Sequence, residues 1–264
     1  EGGMVWVKSR TSNSSITHSH FLSDTERGWG KRLSTDTTAA QTQNEPWNIV
    51  DQFNSDGFRY SNGDSVAQDY ASWTFRKAPR FFDVVTYAGN GTAGREIAHD
   101  LGVAPGMVIV KCTSHSQTWT VYHRSTTGTH VGKLNLTNAF QDANYAWNDT
   151  DPTSTEFTVG ITNVNQSGGT YVAYLFAHDP DGENDDGMIS CGSYAANGST
   201  TGPVINLGWE PQFLLLKKAT GGTGNWDMID TMRGWDKSYA TGFYRWVRAN
   251  ESEGESSNAA IEIM

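Results

Sequence analysis

Three short apolar runs, each closed by a lysine, punctuate the chain: Met4-Val5-Trp6-Val7-Lys8, Met107-Val108-Ile109-Val110-Lys111 and Phe213-Leu214-Leu215-Leu216-Lys217. Pro105 and Pro211 open the last two through a turn that fixes φ. Each run is too short for an ordinary helix and suits a strand buried on both faces. Met4, Met107 and Phe213 stand 103 and 106 residues apart, and a period of about one hundred residues implies three domain-sized units. The phasing gives an N-terminally incomplete unit at 1–80, a complete one at 81–180 and a C-terminally incomplete one at 181–264. Each unit is long enough to bury a core of its own.

Other positions repeat in the same phase. Leu22-Ser23-Asp24-Thr25-Glu26-Arg27-Gly28-Trp29 returns as Met228-Ile229-Asp230-Thr231-Met232-Arg233-Gly234-Trp235, a strand running into a glycine turn. In the middle unit the place belongs to Val121-Tyr122-His123, so that His123 stands where the others have Asp24 and Asp230. Tyr70-Ala71-Ser72-Trp73-Thr74-Phe75 is matched by Tyr171-Val172-Ala173-Tyr174-Leu175-Phe176, whose aromatic and β-branched residues mark a core strand. Ser55-Asp56-Gly57-Phe58 predicts a tight turn, and Asn90-Gly91 and Asn197-Gly198 predict hairpins that need positive φ. About seven or eight strands fit between Val84 and Phe176, the count of a β-sandwich or jelly roll. The first unit lacks a counterpart of residues 84–88, and the third lacks counterparts of 157–160 and 171–176. Open sheet edges are expected at both places, filled by a strand from outside these residues.

Composition sharpens the class. With 28 Gly, 12% aromatic residues and only 7 Pro, the chain suits many short strands joined by tight turns. No apolar run approaches the roughly 18 to 20 residues of a membrane-spanning helix, so no membrane insertion is expected. A net charge of −10 argues against nucleic acid, whose phosphates demand clustered Lys and Arg. Cys112 and Cys191 occupy different places in their units and form no CxxC pair, which predicts free, buried thiols.

Candidate chemistry is sparse. Trp29, Trp47, Trp147 and Trp235 fall in or beside turns, where an exposed indole could stack on a sugar or anchor a protein. The acidic loop with Asp181, Glu183 and Asp185 offers oxygen ligands to calcium, yet the twelfth position counted from Asp181 is Gly192 rather than Glu, and a solvated linker is the plainer reading. His18 and His20 share a face of a strand without a third ligand at zinc spacing. Asp24 and Glu26 are the nearest approach to a glycosidase carboxylate pair, and a solvated turn is again the plainer reading. Neither a catalytic residue nor a cofactor is expected.

The set Ala104-Pro105-x-Met107-Val108-Ile109-Val110-Lys111, Trp119-x-Val121-Tyr122-His123, the stretch from Trp147 to Gly160, and Tyr171-Val172-Ala173-Tyr174-x-Phe176-Ala177 resembles a tandem repeat region of bacteriophage proteins, mainly from marine phages. These are described as tail-fibre-like or virion structural proteins, in which the region commonly follows a laminin-G or concanavalin-like jelly roll. The resemblance covers nearly the whole chain and implies tandem β-sandwich repeats in a virion. It also implies a homo-oligomer whose partners are other virion proteins and a host-surface glycan or receptor. The expected function is non-catalytic adhesion, with capsid or tail decoration second and a polysaccharide depolymerase third.

Overall fold

The structure is a computed structural model that describes residues 2–11, 19–43, 49–61, 68–178, 189–199, 202–234 and 244–258. Among the described residues the protein is mostly β, 43% strand, with antiparallel pairing throughout and one short α-helix at Asn144–Trp147. The first stretch supplies β1 (Gly3–Ser9), β2 (Phe21–Asp24), β3 (Lys31–Arg32), β4 (Thr42–Gln43), β5 (Ile49–Asn54), β6 (Gly57–Ser61) and β7 (Tyr70–Arg76). The second supplies β8 (Phe82–Ala88), β9 (Arg95–Ala98), β10 (Pro105–Cys112), β11 (Thr120–His123), β12 (His130–Lys133), β13 (Gln141–Asp142), β14 (Glu156–Val159) and β15 (Thr170–Ala177). The last supplies β16 (Phe213–Lys217), β17 (Trp226–Asp230), β18 (Tyr244–Arg248) and β19 (Ser256–Asn258).

The three lysine-closed runs are β1, β10 and β16, and each seeds one of the larger sheets. Their orders are β2-β1-β7, β13-β12-β11-β10-β15-β8 and β16-β17-β18-β19. Small ribbons β3-β4, β5-β6 and β14-β9 accompany them. Strand β10 lies inside its sheet with Val108, Ile109 and Val110 at most 2% exposed, as the apolar run requires. Because side chains alternate along a strand, Ile109 enters one apolar cluster while Val108 and Val110 enter another.

The core is shared to a degree that three self-contained units would not produce. One cluster takes Met4, Trp6, Leu22 and Trp73 from the first sheet, Ile109, Trp119, Val121 and Tyr174 from the second, and Trp226, Met228 and Val247 from the third. The inner faces of all three sheets bury one another. Separate clusters lie behind the first sheet, around Val5, Val7, Phe21 and Val50, and behind the second, around Val108, Tyr122, Trp147 and Phe157.

The turns divide into those read correctly and those not. Ser55 and Asp56 join β5 to β6 in an antiparallel ribbon, as expected. Gly91 and Gly198 do take positive φ, at 74° and 70°, but Asn90-Gly91 closes no hairpin, because β8 pairs with β15 and β9 with β14. The Asn165 side chain competes for this turn. Its Oδ1 accepts from Asn90 N at 3.0 Å, and its Nδ2 donates to Asn90 Oδ1 and Thr92 O. Residues 194–199 likewise form no strand.

Candidate functional site

The lysine that closes each run is buried or half-buried and reaches out of its own stretch. Lys111 Nζ donates to Thr38 O at 2.9 Å and to Gln117 O at 2.7 Å. Lys217 Nζ donates to Thr137 O at 2.9 Å and to Gly224 O, and Lys8 Nζ donates to Ser252 O at 2.8 Å. Burial pushes all three amines down to about 8. A lysine, charged or neutral, still donates there, and removing it would strand carbonyls in a low dielectric.

Two further bonds recur at each of these junctions. Gln41 N donates to Thr113 O, Phe140 N to Ala219 O and Glu255 N to Arg10 O, at 2.9, 3.1 and 2.8 Å. Trp119 Nε1 donates to Ser34 O at 2.9 Å and Trp226 Nε1 to Lys133 O at 3.0 Å. At the corresponding place His20 Nε2 lies 2.9 Å from Arg248 O, with His20 Nδ1 accepting from Trp6 Nε1 at 2.9 Å. This pairing assigns the proton to Nε2, and burial drives the ring well below the usual histidine range. Behind each ring an Asx side chain caps the backbone: Asp36 for His20 N, Asn135 for Trp119 N and Asn250 for Trp226 N.

Two Asp–Arg pairs occupy the turns after β2 and β17. Asp24 Oδ1 accepts from Arg27 N and its Oδ2 from Arg27 Nε at 2.5 Å, while Arg27 Nη2 donates to Leu22 O and to the Tyr174 hydroxyl. The Tyr174 hydroxyl in turn donates to Asp24 Oδ2 at 2.8 Å. Asp230 and Arg233 repeat the arrangement with Met228 O, and there Trp73 Nε1 donates to Asp230 Oδ2 at 3.0 Å, its ring under the guanidinium. Every strong donor is paired, which a buried ion pair needs if it is not to destabilise the fold.

Above the first pair lies an open cleft of about 440 Å³ lined by Glu26, Arg27, Lys31, Gln41, Thr113, Thr170 and the stacked rings of Tyr87 and Tyr171. Arg27 Nη1 donates to Gln41 Oε1 across its floor. Burial pushes the Tyr171 hydroxyl up to about 12, so it stays neutral. Threonine hydroxyls, an amide and both charge signs meet here, hydrogen-bonding groups suited to a polyhydroxylated ligand.

Trp29, in the turn that carries Glu26 and Arg27, is 64% exposed and keeps its candidacy. Trp147 does not. It ends the short helix at 1% exposure, edge-on to Tyr122, because the Asn144–Trp147 turn folds back against β12 and β14. Trp47, Trp235, Asp181, Glu183, Asp185 and His18 lie outside the described residues. Among the described residues no three His, Cys, Asp or Glu side chains gather as a metal site, and no helix is long and apolar enough to cross a membrane. Asp24 is fully buried in its pair with Arg27, so it cannot serve Glu26 as a second glycosidase carboxylate. Cys112 and Cys191 are free and buried, as expected. The repeated lysines were visible in sequence as strand ends, but their acceptors are backbone carbonyls, which leave no side-chain signal.

The fold and these junctions define an antiparallel β protein whose sheets are locked together by buried polar bonds. The chain belongs, over residues 1–264, to the family described as a domain of unknown function, DUF7483. No curated protein and no solved structure matches it.

Proposed function

We propose that the chain is a closed ring of three related β units that serves as a non-catalytic binding module on a bacteriophage virion, in the manner of a tail-fibre adhesin. The observation that carries the ring is that each junction uses the same three bonds, each running the same way at every junction. Lysine and ring donors of the second unit reach the first, those of the third reach the second, and those of the first reach the third, while the backbone donor at each junction runs the opposite way around. The jelly-roll expectation gives way to sheets facing one another across a common core. Such a scaffold is rigid, and rigid scaffolds with variable turns suit surface recognition.

The adhesin reading rests on what the ring leaves unused. The charges at the junctions are consumed in internal bonds, whereas Glu26, in a part-exposed pair with Lys77 at 3.7 Å, and Lys31 line the cleft, and Trp29 stands exposed in the same turn. A host-surface glycan is the ligand class this chemistry fits, and the module's place is the virion. The test is binding of the whole chain to immobilised bacterial lipopolysaccharide, capsular polysaccharide and teichoic acid. Saturable binding to one of them, weakened about tenfold or more by Trp29→Ala or Glu26→Gln with the melting temperature unchanged, supports adhesion. Binding to none favours capsid or tail decoration, and release of reducing ends favours a depolymerase.

A further inference from the structure

Strands β1 and β10 are each flanked on both sides, by β2 and β7 and by β11 and β15, whereas β16 pairs with β17 alone among the described residues. Burial agrees: all seven residues of β1 are buried and nearly all of β10, but all five of β16 are only half-buried. Thr231 N donates to Gln212 O, so by antiparallel alternation the backbone groups of Phe213, Leu215 and Lys217 face the open side. Ahead of β16, Val204 and Ile205 are 74% and 45% exposed, while the matching stretch ahead of β10 forms β9 and pairs with β14.

The two filled slots show what fits the third. Trp73 lies opposite Trp6 and Phe75 opposite Met4, and Tyr174 lies opposite Ile109 and Phe176 opposite Met107. In each case the first aromatic hydrogen-bonds to the acidic position of the preceding unit, Trp73 to Asp230 and Tyr174 to Asp24. Around the ring the next such position is His123, opposite Met107 on β11. Its Nδ1 accepts from Ser125 N at 3.2 Å, which leaves the proton on Nε2. That atom donates, so it matches a tyrosine oxygen and not an indole N–H.

We infer that the open edge of β16 receives an antiparallel strand of the repeat's own chemistry, with a tyrosine opposite Leu215 that accepts from His123 Nε2 and a phenylalanine opposite Phe213. The occupant is an extended polypeptide segment of the Tyr-x-x-Tyr-x-Phe type, and the inference rests on the ring reading above. Main-chain bonds along Phe213–Lys217 supply affinity and the two aromatics supply register.

The experiment titrates the whole chain into a fluorescently labelled peptide with the sequence of residues 170–177, Thr-Tyr-Val-Ala-Tyr-Leu-Phe-Ala, extended by lysines for solubility. Saturable binding is expected, lost when alternate peptide nitrogens on the pairing side are methylated. Changing the second tyrosine of the peptide to phenylalanine should weaken binding about threefold to tenfold, the range of one neutral hydrogen bond. That penalty should vanish against a His123→Ala protein. No saturable binding, equal binding of a scrambled peptide, or a β16-to-β16 dimer that excludes the peptide would overturn the inference. If the peptide fails while junction variants such as Lys111→Met still destabilise the chain, the slot is wrong and the ring stands.

Discussion

At the residue scale, His20 shows how a single position is adapted to its neighbour. The second and third units put Trp119 and Trp226 there, beside Ile109 and Leu215, whereas the first pairs the smaller imidazole with the larger Trp6. His20 is held neutral by burial, so its folded pKa lies below the unfolded value of about 6.5. As pH falls through 6.5 the unfolded chain takes up a proton that the folded chain refuses, and stability is lost by up to about 1.4 kcal/mol per pH unit. His99 and His123, also depressed by burial, add in the same direction. Denaturant melts between pH 7.5 and 5 should show this loss, and a Trp6→Ile, His20→Trp double variant should show a shallower one. His20→Trp alone should be less stable than the double, since the indole then meets Trp6. The Asp–Arg pairs give a second residue-scale prediction. Arg27→Met should cost about 3–5 kcal/mol by leaving Asp24 buried without its cation, whereas Tyr174→Phe should cost only about 1–3 kcal/mol, both read from the urea midpoint.

At the scale of elements, close backbone approach fixes the helix beside the second sheet. A Cβ on Gly160 would lie 2.1 Å from Tyr145 O, where Gly160 N also donates to Ala146 O at 2.7 Å. Gly160→Ala should therefore destabilise by about 1–3 kcal/mol, while Gly57→Ala, with open space around it, should be far milder, as paired thermal melts would record. The strands around Val108–Val110, Trp73 and Tyr174 were legible because their apolar and aromatic spacing is local information. So was the correspondence of His123 with Asp24 and Asp230. Two things were not. The Asn90-Gly91 turn has the composition of a hairpin, but its partner is the amide of Asn165, far along the chain. Trp147 sits among turn residues in sequence, and only the packing of its short helix on β14 reveals that the indole is inside.

At the scale of the whole molecule, the shared core and the recurrent junctions make one claim: the three units stabilise each other as a ring rather than as beads. Lys111→Met, which leaves Gln117 O without its donor and Thr38 O with Gln117 N alone, should lower stability by about 1–3 kcal/mol although it removes no apolar contact. Its effect should spread beyond the two units it joins. Differential scanning calorimetry of the whole chain tests the claim most directly. The ring predicts a single transition whose calorimetric and van't Hoff enthalpies agree, moved as one by Lys111→Met. Two or three separable transitions, only some of them shifted by that substitution, would contradict it.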